Sequence, residues 1–131
     1  MNKIVRLEIF GNPVPQGRPR FFRKGNFIGA YDPEKSRSWK ENVRLQAIMQ
    51  KPEIMTGALN LFLHFKLLKP KSMSKKVIHH VKKPDLDNLV KACKDALKGI
   101  CYRDDSQIIE LAAKKEYSEK PGVVIVISEI I

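Results

Sequence analysis

The run Pro84-Asp85-Leu86-Asp87-Asn88-Leu89-Val90-Lys91 sets two carboxylates at the start of a helical pattern, and Asp104-Asp105 adds a second pair one helix length later. Four of the fourteen Asp and Glu residues thus gather about one helix, in a chain that carries 25 Lys and Arg and a formal charge of +11. Hard divalent cations take anionic oxygen ligands, and phosphoryl-transfer sites commonly hold Mg²⁺ through a few carboxylates plus substrate phosphate oxygens. A surplus of positive charge favours a polyanionic partner. An acidic knot inside a basic surface therefore points to a metal site completed by a nucleic-acid phosphate, and to phosphodiester cleavage.

The helix that must carry this knot has an apolar face at Leu86, Leu89, Val90, Cys93, Ala96 and Leu97, with Gly99 placed to end it; the predicted span is 86–98. Asp87, Lys91 and Asp95 stand at i, i+4 and i+8 and share one polar face, while Asp85 and Asp87 sit where the helix dipole favours anions. A helix of that length is about 20 Å long and the seven extended residues that follow reach about 23 Å, so Asp105 returns to Asp85 only along a nearly straight path. A curved helix end or a partner subunit relaxes this, and the spacing leaves same-chain and cross-subunit assembly both open.

The other elements follow from period and punctuation. Lys3 to Phe10 is β-branched and apolar in both registers, which predicts a strand well inside a sheet. Gly11 to Arg20 is a loop with two glycines and three prolines that ends in arginines. Phe21 to Tyr31 reads as a hairpin turning at Lys24-Gly25-Asn26, with Arg18, Arg20, Arg23 and Lys24 interleaved with Phe21 and Phe22, a mix suited to a phosphate backbone. Asp32-Pro33 predicts a helix over 33–50, with Asp32 as N-cap and a stripe at Trp39, Val43 and Ala47. Leu59 to Leu67 alternates with period two, a strand with one buried face. Residues 69–83 form a mobile basic connection, with Lys69, Lys71, Lys75, Lys76, Lys82 and Lys83 as phosphate contacts. Ile108 to Tyr117 and Val123 to Ile131 are the closing strands. The fold expected is α+β, one domain over residues 1–131, a mixed sheet with two principal helices.

Each feature also has an ordinary structural reading. Asp85 and Asp87 suit a helix start, Lys91 suits an exposed pair with Asp87 or Asp95, and the lysines of 69–83 suit a solvated loop. An EF-hand is excluded, since a loop beginning at Asp85 would need an oxygen ligand at Leu89 and Gly at Val90. His64, His79 and His80 lack Cys or carboxylate partners at ligand spacing and are expected at the surface. Cys93 belongs to the core, and two cysteines outside any CxxC spacing make neither a disulfide framework nor a zinc site. No run approaches the ~18 apolar residues of a membrane span, so no membrane partner and a cytoplasmic location are expected.

Taken jointly, Lys83-Pro84-Asp85-Leu86-Asp87-Asn88-Leu89 with Lys91, Asp95-Ala96-Leu97, Asp104-Asp105-Ser106-Gln107-Ile108, the N-terminal Pro13-Val14-Pro15-Gln16-Gly17-Arg18-Pro19-Arg20 and the Tyr31-Asp32-Pro33 step resemble the RusA family of Holliday-junction resolvases. The resemblance covers most of the chain. It implies a homodimeric, Mg²⁺-dependent endodeoxyribonuclease, Mn²⁺ substituting, often prophage-encoded and bound to DNA in a bacterial or phage-infected cell. Such an enzyme nicks two opposed strands of a four-way junction in recombination and repair. It assigns the metal to Asp85, Asp87 and Asp105 and the essential lysine to Lys91, with Asn88, Asp95 and Asp104 as possible supports. The other function classes weighed are a non-catalytic basic DNA-binding module and a nuclease with another branched or flap preference.

Overall fold

The computed structural model of the protein describes residues 3–131; Met1 and Asn2, the first residues of the single-domain reading, lie outside the described residues. In chain order the elements are β1 Ile4–Phe10, β2 Arg20–Lys24, β3 Phe27–Tyr31, α1 Glu34–Met49, β4 Leu59–Leu68, α2 Leu86–Leu97, a single 3₁₀ turn Asp105–Gln107, β5 Ile108–Ser118 and β6 Gly122–Glu129. Four strands form one mixed sheet in the order β1-β6-β4-β5, with β4 and β5 parallel and the other pairs antiparallel; β2 and β3 make a separate hairpin. This is the expected α+β domain with two principal helices.

Period two decides which face of the sheet is covered. Leu59, Leu61, Leu63, Phe65 and Leu67 are buried while the residues between them are half-exposed. The buried set shares one core with Leu7 and Ile9 of β1, Ile125 and Ile127 of β6, Trp39, Val43 and Ala47 of α1, and Leu89, Cys93, Ala96 and Leu97 of α2. Both helices therefore lie on one face, side by side, each fixed by the stripe its sequence announced. Truncating a leucine in that layer to alanine costs about 2–5 kcal/mol.

Three expectations change on folding. Strand β1 is an edge strand paired only with β6, not an interior one. Its free edge is covered by amides on α1. Gln50 accepts from the Glu8 amide (3.2 Å) and donates to the Glu8 carbonyl (2.9 Å), Gln46 does the same for Phe10 (2.9 and 2.8 Å), and Asn42 adds a bond to the Phe10 carbonyl (3.0 Å). Side chains at i, i+4 and i+8 of a helix thus complete a strand edge that would otherwise recruit another chain. Asp32 does not cap α1. Pro33 takes the N-cap position without a side-chain cap, because the Asp32 carboxylate is engaged by Lys40 (2.7 Å) and Gln16 (3.0 Å). His80 is buried rather than on the surface, its ring 4.7 Å from that of Tyr117, and His64 faces the Glu116 carboxylate at 3.1 Å. Neither histidine contact could be seen from sequence spacing: the pairing of β4 with β5 brings His64 to Glu116, and the fold of the 69–83 connection lays His80 against Tyr117 of β5.

Residues 69–83 hold no helix or strand, as expected, but are tied by local turns and by Lys69 Nζ donating to the Val77 carbonyl (2.7 Å).

Candidate active site

The site is a groove of about 620 Å³ between α2 and the edge strand β5. Its floor is Leu86, Val90, Leu111 and Ala113, and its polar wall is Asp87, Lys91, Lys94, Asp95 and Asp105. The i, i+4, i+8 row of Asp87, Lys91 and Asp95 faces this groove as the helical register predicts, and Lys94 joins it from the next position.

The start of α2 is held from two sides. Lys115 on β5 donates to the Lys82 and Pro84 carbonyls (2.8 and 2.9 Å), fixing the segment that leads into Asp85. On the other side the Gln16 amide donates to the Asn88 carbonyl (2.9 Å), which lays the Pro-rich loop across the helix. Asp85 is the N-cap residue, yet its exposed carboxylate makes no capping bond and remains uncommitted. It does not line the groove with Asp87 and Asp105. The side chain of Asn88 is exposed.

The return of Asp105 is a local matter. Gly99 reverses the chain at φ +87°, a conformation that favours glycine, and its amide donates to the Tyr102 carbonyl (2.7 Å). Tyr102 is fully buried, and its hydroxyl donates to the Lys94 carbonyl (2.7 Å), stitching the turn to the last turn of α2. Burial, then the negative charge of Asp105, pushes its phenol far above the ordinary range, so it stays neutral. Gln107 finishes the clamp by accepting from the Arg103 and Asp104 amides and donating to the Met55 and Gly57 carbonyls. The straight path weighed from chain length is not taken. The chain doubles back at once, and Asp105 enters the groove of its own protomer.

The two adjacent aspartates part company in this turn. Asp104 caps the 3₁₀ turn through the Ser106 amide (3.1 Å) and pairs with Lys98 (3.0 Å); the Ser106 bond, then Lys98, holds its carboxyl well below the usual carboxylate range. Asp105 is half-buried, and its Oδ1 is a buried oxygen with no hydrogen-bond partner. A buried carboxylate oxygen without a donor is costly and calls for a cation.

Asp95 has a partner already. Lys40 of α1, only 15% exposed, bridges Asp32 (2.7 Å) and Asp95 (3.3 Å) and so ties both helices to the groove wall. Among the described residues no three His, Cys, Asp or Glu side chains converge tightly enough to hold a metal unaided. Mg²⁺ is ordinarily held by one or two carboxylates with water and substrate phosphates completing its shell, so Asp87 with the donor-free Oδ1 of Asp105 fits that donor chemistry, and Asp85 stands two positions before Asp87 with its carboxylate exposed. The cysteines do not compete for the role of nucleophile: burial pushes the Cys93 thiol up to about 12 and the Cys101 thiol up to about 11.

The family described as Endodeoxyribonuclease RusA matches residues 11–128. The chain belongs to the RusA family. That membership implies endodeoxyribonuclease activity. The Uncharacterized protein YqaN of Bacillus subtilis (strain 168) is 37% identical over 137 aligned residues, covering 96% of each chain. Within this RusA chain, sequence reasoning missed Lys40, Lys94, Lys115 and Gln107. Lys94 lies beside Asp95 on α2 and Gln107 two positions after Asp105, so both were legible as neighbours, although the reach of Gln107 to Met55 and Gly57 was not; Lys40 and Lys115 come to the site from distant segments.

The expected DNA contacts lie elsewhere. Arg18, Arg20, Arg23 and Lys24 are exposed on the loop and hairpin, with Arg23 donating to the Gly25 carbonyl (3.0 Å). Lys71, Lys75, Lys76, Lys82 and Lys83 are exposed and Lys69 is half-buried. No helix is long and apolar enough to cross a membrane.

Proposed function

We propose that the protein is a Mg²⁺-dependent, homodimeric endonuclease that resolves four-way DNA junctions by paired nicks, serving recombination and repair. The observation that carries the chemistry is the buried, donor-free Oδ1 of Asp105 in the same groove as Asp87 and two lysines. Of the three acids that line the groove, Asp95 is paired with Lys40, whereas Asp87 and Asp105 carry charge that a cation shared with a phosphate would offset.

Asp85, Asp87 and Asp105 would hold the metal, Mg²⁺ with Mn²⁺ substituting. When bound, it would polarise the phosphate and lower the pKa of a water molecule. The remaining work falls to the chain itself. Lys91 and Lys94 face the groove and offset charge that develops on the phosphate oxygens. Lys40 keeps Asp95 in place and prevents it from drifting towards either lysine. The apolar floor limits bulk water beneath the scissile phosphate. A water adds to phosphorus in line with the departing 3′ oxygen and gives up a proton to solvent, the P–O3′ bond breaks, the 3′ oxygen leaves as a hydroxyl after taking up a proton from solvent, and a 5′-phosphate remains. Two copies related by a dyad would offer two such grooves to two symmetry-related strands.

The test is a Mg²⁺ titration with end-labelled four-way junction, duplex and flap substrates. Paired nicks in the junction at Mg²⁺ concentrations that leave duplex uncut are expected. Binding of all three without cleavage would instead identify a DNA-binding module, and cleavage confined to flaps a different nuclease.

A further inference from the structure

The β2–β3 hairpin has a surface that phosphate contacts alone do not explain. Every residue of both strands is exposed except the half-buried Gly29, and the hairpin is a sheet of its own. Pairing of Arg20 with Tyr31, Phe22 with Gly29 and Lys24 with Phe27 places these six residues on one face. The Phe22 ring lies over Gly29, where even a Cβ would come within 2.4 Å of it. Phe27 and Tyr31 flank it at centroid distances of 6.0 and 6.1 Å. Their planes are tilted by 56° and 48° rather than stacked parallel, and all three side chains remain exposed. Arg20 and Lys24 close the two ends.

A free-standing apolar row of this size marks a contact surface, because a two-stranded hairpin is marginal by itself and monomers seldom leave aromatic clusters in water. The charge around it selects the occupant. From Ile9 to Tyr31 there is no Asp or Glu, while Arg18, Arg20, Arg23 and Lys24 all fall there. Docking this face on a second copy would press those cations together. At the base of the hairpin Arg20 and Tyr31 continue into a groove of about 510 Å³ whose other walls are Pro33, Glu34, Lys35 and Arg37, three cations against one acid. Open aromatic faces beside a cationic track are how single-stranded nucleic acid is held, bases on rings and phosphates on lysine and arginine.

We propose that Phe22, Phe27 and Tyr31 form a stacking platform for unpaired nucleobases, with Arg20, Lys35 and Arg37 taking the adjoining phosphates. The platform rests on the reading of the protein as a junction nuclease and names the part of the substrate it grips: bases unstacked at the branch point, not the paired arms. Exposed Phe22 and Phe27 then serve the complex and not the fold.

The probes are fluorescein-labelled oligo(dT) and a four-way junction carrying 2-aminopurine at the branch, titrated with full-length wild type, Phe22→Leu, Phe22→Ala and Phe27→Leu. Leucine retains apolar bulk and removes only the π face, so it separates stacking from hydrophobic contact. The leucine variants should bind oligo(dT) on the order of 10-fold more weakly or worse, the cost of losing one stacked base, with an unchanged salt slope. Wild type should change the 2-aminopurine signal, and Phe22→Leu should not. Wild-type affinity in the leucine variants overturns the platform. So does loss of self-association in Phe22→Ala by sedimentation with an unaltered 2-aminopurine response, which would make the face an interface between copies. If wild type binds oligo(dT) through these rings yet never cuts a junction with Mg²⁺, the nuclease reading falls and the platform stands. If it cuts junctions while ignoring unpaired bases, the reverse holds.

Discussion

The groove and the hairpin divide the molecule's charge between them. The groove gathers Asp87, Asp95 and Asp105 on elements whose every support is spoken for: Lys115 at the entry to α2, Tyr102 and Gln107 at its exit, Lys40 between the helices. The hairpin carries cations and rings that touch little besides one another. Chemistry at a fixed phosphate needs groups held to fractions of an ångström, so it sits where tertiary contacts are dense. Gripping a flexible polyanion needs reach and charge, which an outlying hairpin supplies cheaply.

The sharpest way to test that division is to remove charge from the groove. Asp105→Asn and Asp87→Asn should each lower single-turnover junction cleavage roughly 10²- to 10³-fold, the scale of losing one charge-stabilising group, while junction affinity changes little. Asp85→Asn belongs in the same series, because its carboxylate is free but stands outside the groove wall. Wild-type turnover in any of the three would strike that residue from the ligand set. Lys91→Ala should also fail to cut.

Charge taken from the other region should act on affinity instead. Arg18→Ala with Arg20→Ala should flatten the dependence of log K on log salt by about two units, roughly one per phosphate contact, with cleavage of the saturated complex nearly intact. Lost cleavage with an unchanged slope would move those arginines into the groove's company and erase the contrast.

Next in size is a support of the groove. Lys40→Met leaves Asp32 and Asp95 without their shared cation and should cost about 1–2 kcal/mol in urea unfolding at neutral pH, between the values for exposed and buried pairs. Lys40, by its hydrogen bond first, lowers the pKa of Asp32 in the folded state. A depressed carboxylate contributes stability that is present above its unfolded pKa and lost as pH falls through the folded one. The variant's deficit should therefore shrink below about pH 4, where the unfolded carboxylate titrates. A deficit independent of pH would assign the loss to packing of the lysine stem.

The smallest effect belongs to His80, whose pKa is lowered by burial first and by Lys115 and Lys82 after it. The unfolded chain takes up the proton before the folded one does, so stability should decline as pH drops below about 6.5. His80→Phe should flatten that limb. The hairpin, with no titrating group of this kind, should leave it unchanged in Phe22→Leu.

Sequence alone was enough wherever the information is periodic or local. Strand β4 was readable from its alternation, α2 from its stripe and Gly99, and the hairpin from its turn at Lys24-Gly25-Asn26, because each pattern is written within a few residues of itself. The acidic groove face was also readable, since Asp87, Lys91 and Asp95 share a helical register whatever lies opposite. Tertiary structure decided the rest. Whether β1 lies inside the sheet or at its edge depends on which strands pair, not on its own composition. Lys40 meets Asp95 across 55 positions of chain, a separation over which sequence carries no spacing rule. Asp104 and Asp105 are the plainest case: two identical residues side by side, indistinguishable as letters. The 3₁₀ turn spends one on a backbone amide and a surface lysine and points the other, with a bare buried oxygen, into the groove, because Asp104 is the extended N-cap and Asp105 the first residue of the turn, so their side chains leave the backbone in different directions.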